Sequence, residues 1–143
     1  MTISQYLDSV NKRVKNGISR EHSYRGDFEN LFRELVKEVY LDEKIEQYII
    51  DIVFATRTPE KFGLGFLEPL ISFGCSPRAS INLALTAKAH AFLNNRAFVI
   101  PEDVRAVAPD VIRHRMGLTY EAEAEDMSSA DILSKIIGRI QVP

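Results

Sequence analysis

Apolar residues recur at intervals of three and four along nearly the whole chain, and no series of alternating strands interrupts them. That period is the helical one, so each run must lay one apolar stripe against a neighbour. Residues 3–15 place Ile3, Leu7, Val10 and Val14 on such a stripe. Asn16 and Gly17 break it. A second run follows, with Asp27 as its expected N-cap and Phe28, Leu31, Phe32, Leu35, Val36 and Val39 on one face. Asp42 caps a third, in which Ile45, Tyr48, Ile49, Ile52, Val53 and Ala55 form a face broad enough for two neighbours. From Pro77 to about Leu93 runs the longest helix, rich in alanine and leucine, which favour helix most. Pro101 with Glu102 and Asp103 opens another, and its internal Pro109 is expected to kink or split it. Ser128 caps the last, with Asp131 in the capping-box position. Leu118 to Ala122 reads as a short extended piece. Residues 58–77 form a connection longer than most in compact domains, which implies either function or local order of its own. The fold class is mainly α, a small helical bundle.

Chemistry is restricted by what the sequence omits. None of the seven glycines is followed by lysine, so the chain holds no phosphate-cradling loop. "VYLDE" (39–43) looks like a magnesium-binding strand, but helix precedes and follows it, and Asp42 reads better as a cap. His22, His90 and His114 are widely spaced and read as surface or packed side chains. Cys75 is the one cysteine, with no base beside it in sequence, and reads as a small buried residue. No metal site and no catalytic residue is assigned. A net charge of −2 argues against a strong grip on nucleic acid. No apolar run reaches transmembrane length, and the N-terminus is too polar for a secretory signal, so a cytoplasmic location is expected.

"GCSPRASINLAL" (74–85) carries the informative anomaly. Ser76 and Pro77 announce a helix start. Arg78 then stands in the first turn, where the helix end already carries partial positive charge. Pairing with Glu68 or Glu102 is one explanation. The other is a ligand: free N–H groups at a helix start bind phosphate, and an arginine in that turn adds a charged fork.

"YIIDIVFATRTPEKFGL", the stretch from Gly74 to Leu118 and the closing "VP" resemble the C-terminal lid domain of MoxR-family AAA+ ATPases, over residues 33–143. The specific features are Ser76-Pro77-Arg78-Ala79, then Arg96 with "FVIPEDV", then His114-Arg115, in that order. The family pattern has alanine where this chain has Cys75. The resemblance implies a helical lid that closes over ATP and magnesium held by an α/β core, within a hexamer of chaperone-like remodelling ATPases that work beside von Willebrand factor type A domain proteins. It places the sensor-two arginine at Arg78, with Ser76, Tyr48 and Ile49 as further nucleotide-side positions. Arg96 is expected to pair with the acids of the "IPEDV" turn, and Arg113, His114 and Arg115 form a basic helix end that suits the dipole, with contact to a neighbouring subunit as the alternative role. The phosphate loop, magnesium strand and arginine finger of a complete member are missing from this chain. Weak ATP binding or none, and no hydrolysis, is therefore expected of it alone. Its partners would be an AAA+ core or neighbouring subunits.

Residues 1–32 resemble instead the opening helices of adenine-specific DNA methyltransferases of restriction systems, through "EHSYR" after a glycine-containing turn. The catalytic Asn/Asp-Pro-Pro-Tyr/Phe motif is absent, so no methylation is implied. The domain reading is a helical hairpin at 1–32 joined to a lid at 33–143. The alternative function is a stand-alone helical interaction module, from a fused or truncated gene, without nucleotide activity.

Overall fold

The computed structural model describes residues 2–16 and 22–143. They fall into two compact units, Met1–Val39 and Tyr40–Pro143. The turn around Gly17 lies outside the described residues.

The first unit holds α1 (Ile3–Lys15) and α2 (His22–Lys37). Thr2 and Gln5 form a capping box that starts α1. Tyr6 meets Phe28 edge to face, and Phe28 stacks on Phe32. Asp27 corrects the sequence reading: α2 begins at His22, so Asp27 is inside the helix and caps nothing. Its carboxylate accepts from Ser9 Oγ at 2.8 Å and pairs with Arg13 at 2.7 Å. The Ser9 hydrogen bond and Arg13 hold its pKa below the usual value. A short polar residue thus ties α2 to α1 where it was expected to start α2. The resemblance to the lid begins at Arg33, inside this helix, whereas the two compact units divide after Val39.

The second unit runs α3 (Glu43–Ala55), two 3₁₀ turns (Pro59–Phe62 and Gly65–Leu70), β1 (Ile71–Phe73), α4 (Arg78–Leu93), α5 (Pro101–Ile112), β2 (Gly117–Leu118), α6 (Tyr120–Ala124) and α7 (Ser129–Arg139). Asp42 caps α3 by accepting from Lys44 N at 2.9 Å. Tyr40 forms an isolated parallel bridge with Phe98, through backbone bonds to Ala97 O and from Val99 N, in place of the strand that the magnesium-binding pattern would require. The long connection is locally ordered by the two 3₁₀ turns and β1.

The core is assembled from helix faces. Ile52, Leu83, Val104, Ile112, Ile132 and Ile136 are all fully enclosed. Each such side chain stabilises the fold by roughly 1.5–3 kcal/mol. On α4 the buried positions are Ala79, Leu83, Ala87 and Ala91, spaced by four, a narrow seam against α3 and α5. The small alanines allow close backbone approach. Pro109 neither splits nor ends α5, which continues to Ile112, and Arg113 N closes the end on Pro109 O at 3.1 Å. Proline removes one donor, and the packing of Val104, Val107, Ala108 and Val111 outweighs that loss.

β1 and β2 pair antiparallel, Ile71 opposite Leu118 and Phe73 opposite Gly117. The extended piece expected over 118–122 is therefore shorter. It ends at Thr119, whose side chain caps α6 by accepting from Ala122 N. Ser128 and Asp131 form the expected capping box on α7. Ser128→Ala should lower stability by about 1 kcal/mol, read as a shift of the urea midpoint, because one cap bond is lost.

Candidate functional site

The site is built on the turn that connects β1 to α4. Gly74 opens it, packed so tightly that a Cβ there would lie 2.3 Å from Thr56 O. Cys75 is fully buried and donates its N–H to Thr56 Oγ1 at 2.9 Å. Thr56 itself is enclosed at the end of α3, donating to Val53 O at 2.6 Å. The Cys75 thiol lies 3.9 Å from Ile112 O, at the end of α5. The turn is thus pinned to α3 and α5 before the chain enters α4. Burial pushes the Cys75 thiol up, against the Thr56 hydrogen bond and the charge of Arg115, so it is a packing residue as expected.

Pro77 already has helical dihedrals, φ −55° and ψ −24°. Ser76 does not cap the helix with its hydroxyl, contrary to the sequence expectation. Its carbonyl accepts from Ala79 N at 2.9 Å instead, and Ser80 Oγ donates to Pro77 O at 2.6 Å. The start of α4 therefore has no side-chain cap, and Ser76, Pro77 and Arg78 are exposed. Arg78 is exposed there, and among the described residues its side chain makes no hydrogen bond or ion pair. Neither Glu68 nor Glu102 neutralises it. An uncompensated cation at the positive end of a helix favours an anion.

The other candidate positions divide. Ile49 is enclosed in the core. Tyr48 is also buried, and its hydroxyl accepts from Arg105 Nε at 3.0 Å, which joins α3 to α5. An edge of Tyr48 borders a surface hollow of about 410 Å³ beside the C-terminal tail. Arg113 pairs with Asp110 at 3.2 Å, and His114 is exposed. Arg115 is only partly exposed, and its Nε is buried without an acceptor.

At the far end of α4 stands a cluster that the sequence revealed only in part. Asp103 is almost completely buried and receives both guanidinium nitrogens of Arg96 at 2.5 Å, as the "IPEDV" reading anticipated. It also accepts from Ile100 N at 2.9 Å and meets His90 Nδ1 at 2.7 Å. Burial raises its pKa, but the Arg96, Ile100 and His90 hydrogen bonds outweigh burial and hold it at about 2. The sequence alone presents His90 as a plain surface or packed histidine. The signal that could have found it is its place in the last turn of α4, where a buried carboxylate on the next helix would need a further donor.

Among the described residues no three His, Cys, Asp or Glu side chains are placed to hold a metal, and no helix is long and apolar enough to cross a membrane.

Residues 67–136, which include the whole of α4 and α5, match the family model of the AAA lid domain. This defines the class: a helical lid. The chain is 36% identical over 111 residues to the chaperone MoxR1 of Mycobacterium tuberculosis, covering 78% of this chain and 29% of that protein. It is 38% identical over 117 residues to the uncharacterised protein YeaC of Bacillus subtilis, covering 82% and 33%. A crystal structure of a candidate ATPase from Cytophaga hutchinsonii superposes with a TM-score of 0.74 at 44% identity, covering 77% of this chain and 33% of that one. The chain thus carries a lid domain of the kind found in MoxR-family AAA+ ATPases, and it spans about a third of the length of these relatives.

Proposed function

We propose that this chain acts as the lid of a MoxR-like AAA+ ATPase assembly, with Arg78 sensing the terminal phosphate of ATP. The supporting observation is the state of Arg78: exposed, unpaired and set at an uncapped helix start inside the matched lid region. ATP and magnesium would be held by an AAA+ core. This chain supplies the arginine and the helix end that face the phosphate. Charge developing on a transferring phosphoryl group is stabilised by such a preplaced cation. Lid position would then follow nucleotide state. Ser76 contributes by shaping the turn, and Tyr48 and Ile49 by seating α3 beneath it. The assembly is a hexameric, chaperone-like remodelling complex in the cytoplasm, and its accessory partner is a von Willebrand factor type A domain protein.

The test is a chimera in which residues 33–143 replace the matching lid of the Cytophaga hutchinsonii protein. ATP turnover should survive in the chimera and fall on the order of a hundredfold with Arg78→Ala, the loss typical of removing one charge-stabilising donor. An unaffected rate in the mutant would sink the sensor reading. Turnover by the isolated chain would sink the view that its chemistry needs a core from elsewhere.

A further inference from the structure

α1 buries none of its residues, although its apolar stripe is as regular as any in the chain. Ile3, Leu7 and Val14 are each more than half exposed, and Val10 is half-buried. The helix turns a different side to α2. There Tyr6 meets Phe28, and Ser9 and Arg13 reach Asp27. At about 100° per residue, the stripe lies roughly a quarter turn from that side. Phe28 stands at the rim of the contact and is itself more than half exposed. The hairpin therefore closes on polar and aromatic contacts and leaves an apolar face in water.

The pattern of that face identifies its occupant. Its spacing is four, three and four, the narrow seam by which one helix packs on another, not the broader face that a globular core covers. The seam also matches itself. A two-fold axis between Leu7 and Val10 sets Ile3 against Val14 of a second copy and Leu7 against its Val10, so apolar meets apolar along the whole length. Charge fixes the direction. α1 carries Lys12, Arg13 and Lys15 in its last turn and no acid in its first. Parallel pairing would crowd the two basic ends together, whereas antiparallel pairing separates them and opposes the helix dipoles. Area sets the strength. The thirteen residues of α1 make a face about 20 Å long, and two helices of about 10 Å diameter make it about 20 Å wide. About 400 Å² per copy, or about 800 Å² for the pair, is too little for an obligate dimer and suits a reversible one.

We propose that the hairpin is a self-association site, through which two copies of this chain pair by antiparallel α1 seams into a reversible dimer. The inference stands apart from the lid reading, because none of these residues lies in the matched lid region.

Sedimentation equilibrium of the full chain tests it. The weight-average mass should rise with concentration from 16.2 kDa toward twice that value, with a midpoint on the order of tens of micromolar. Leu7→Glu places an unpaired charge in both halves of the seam and should weaken pairing on the order of a hundredfold. Leu7 is exposed in the single chain, so helix content by circular dichroism should stay the same. Val14→Leu adds apolar surface and should tighten pairing severalfold, a change that loss of folding cannot produce. Ile81→Glu, at an exposed position of α4, should leave pairing unaltered. Ile3→Cys and Val14→Cys proteins, mixed and oxidised, should give the mixed disulfide in excess over either like pair. Like pairs in excess would overturn the antiparallel arrangement. A single-chain mass at millimolar concentration would overturn the proposal and leave the face for a different protein. So would a dimer or larger assembly that Leu7→Glu does not weaken, since it must form elsewhere on the chain.

Discussion

Asp103→Ala is expected to destabilise the protein by about 3 kcal/mol, measured by urea unfolding at neutral pH. The substitution removes the acceptor for Arg96, His90 and Ile100 N in one step. Breaking a buried pair by deleting one partner costs about 3–5 kcal/mol. The lower end applies because the Arg96 and His90 side chains remain 25% and 38% exposed and can turn to water. The same carboxylate sets an acid limit. Its folded pKa, about 2, lies below the ordinary 3.8. The unfolded chain therefore takes up the proton first as pH falls. The stabilisation is complete above pH 4 and fades between about 4 and 2, to the extent of roughly 2 kcal/mol. The gap between wild type and Asp103→Ala should narrow across that window. A gap that stays constant would mean that the charge on Asp103 contributes nothing.

Gly74→Ala should cost about as much, roughly 3 kcal/mol, for a steric reason. The new Cβ would stand 2.3 Å from Thr56 O, 2.6 Å from Thr56 C and 2.7 Å from Arg57 Cγ. Two of those atoms are backbone, so no rotamer change relieves the clash. The segment must move, and Cys75 N would be drawn away from Thr56 Oγ1, which leaves a buried donor unmatched. Gly65→Ala is the control, since nothing lies closer than 3.9 Å to its Cβ. It should stay within about 0.5 kcal/mol of wild type. Equal effects at the two glycines would show that the loss at Gly74 is one of backbone freedom and not of space.

Much of this fold could be read from periodicity because its stability comes from helix faces. Asp42 and Ser128 cap the helices assigned to them, since a cap acts on backbone within three residues. Asp27 misled for the complementary reason. Its partners, Ser9 and Arg13, are on another helix, and local pattern carries no information about them. Ser76 misled because Pro77 takes the helical conformation itself and leaves the serine hydroxyl without a capping role. Arg78 was legible as an electrostatic anomaly, a cation at the wrong helix end, and the structure adds that no acid answers it. Arg115 was legible only as one of three basic residues. Its buried, unmatched Nε is a matter of tertiary packing, which local pattern does not carry.

The alanine seam of α4 has a mechanical consequence. Ala79, Ala87 and Ala91 have no side-chain torsions to rearrange, so a push on the start of α4 has few soft degrees of freedom in which to dissipate. Helices in close-packed contact transmit strain instead of absorbing it. Sixteen residues at about 1.5 Å each make α4 a rod of about 24 Å, with Arg78 at one tip and His90, bound to Asp103, near the other. A small tilt imposed at the arginine would reappear, lever-like, as displacement of the Arg96–Asp103 corner at the opposite pole.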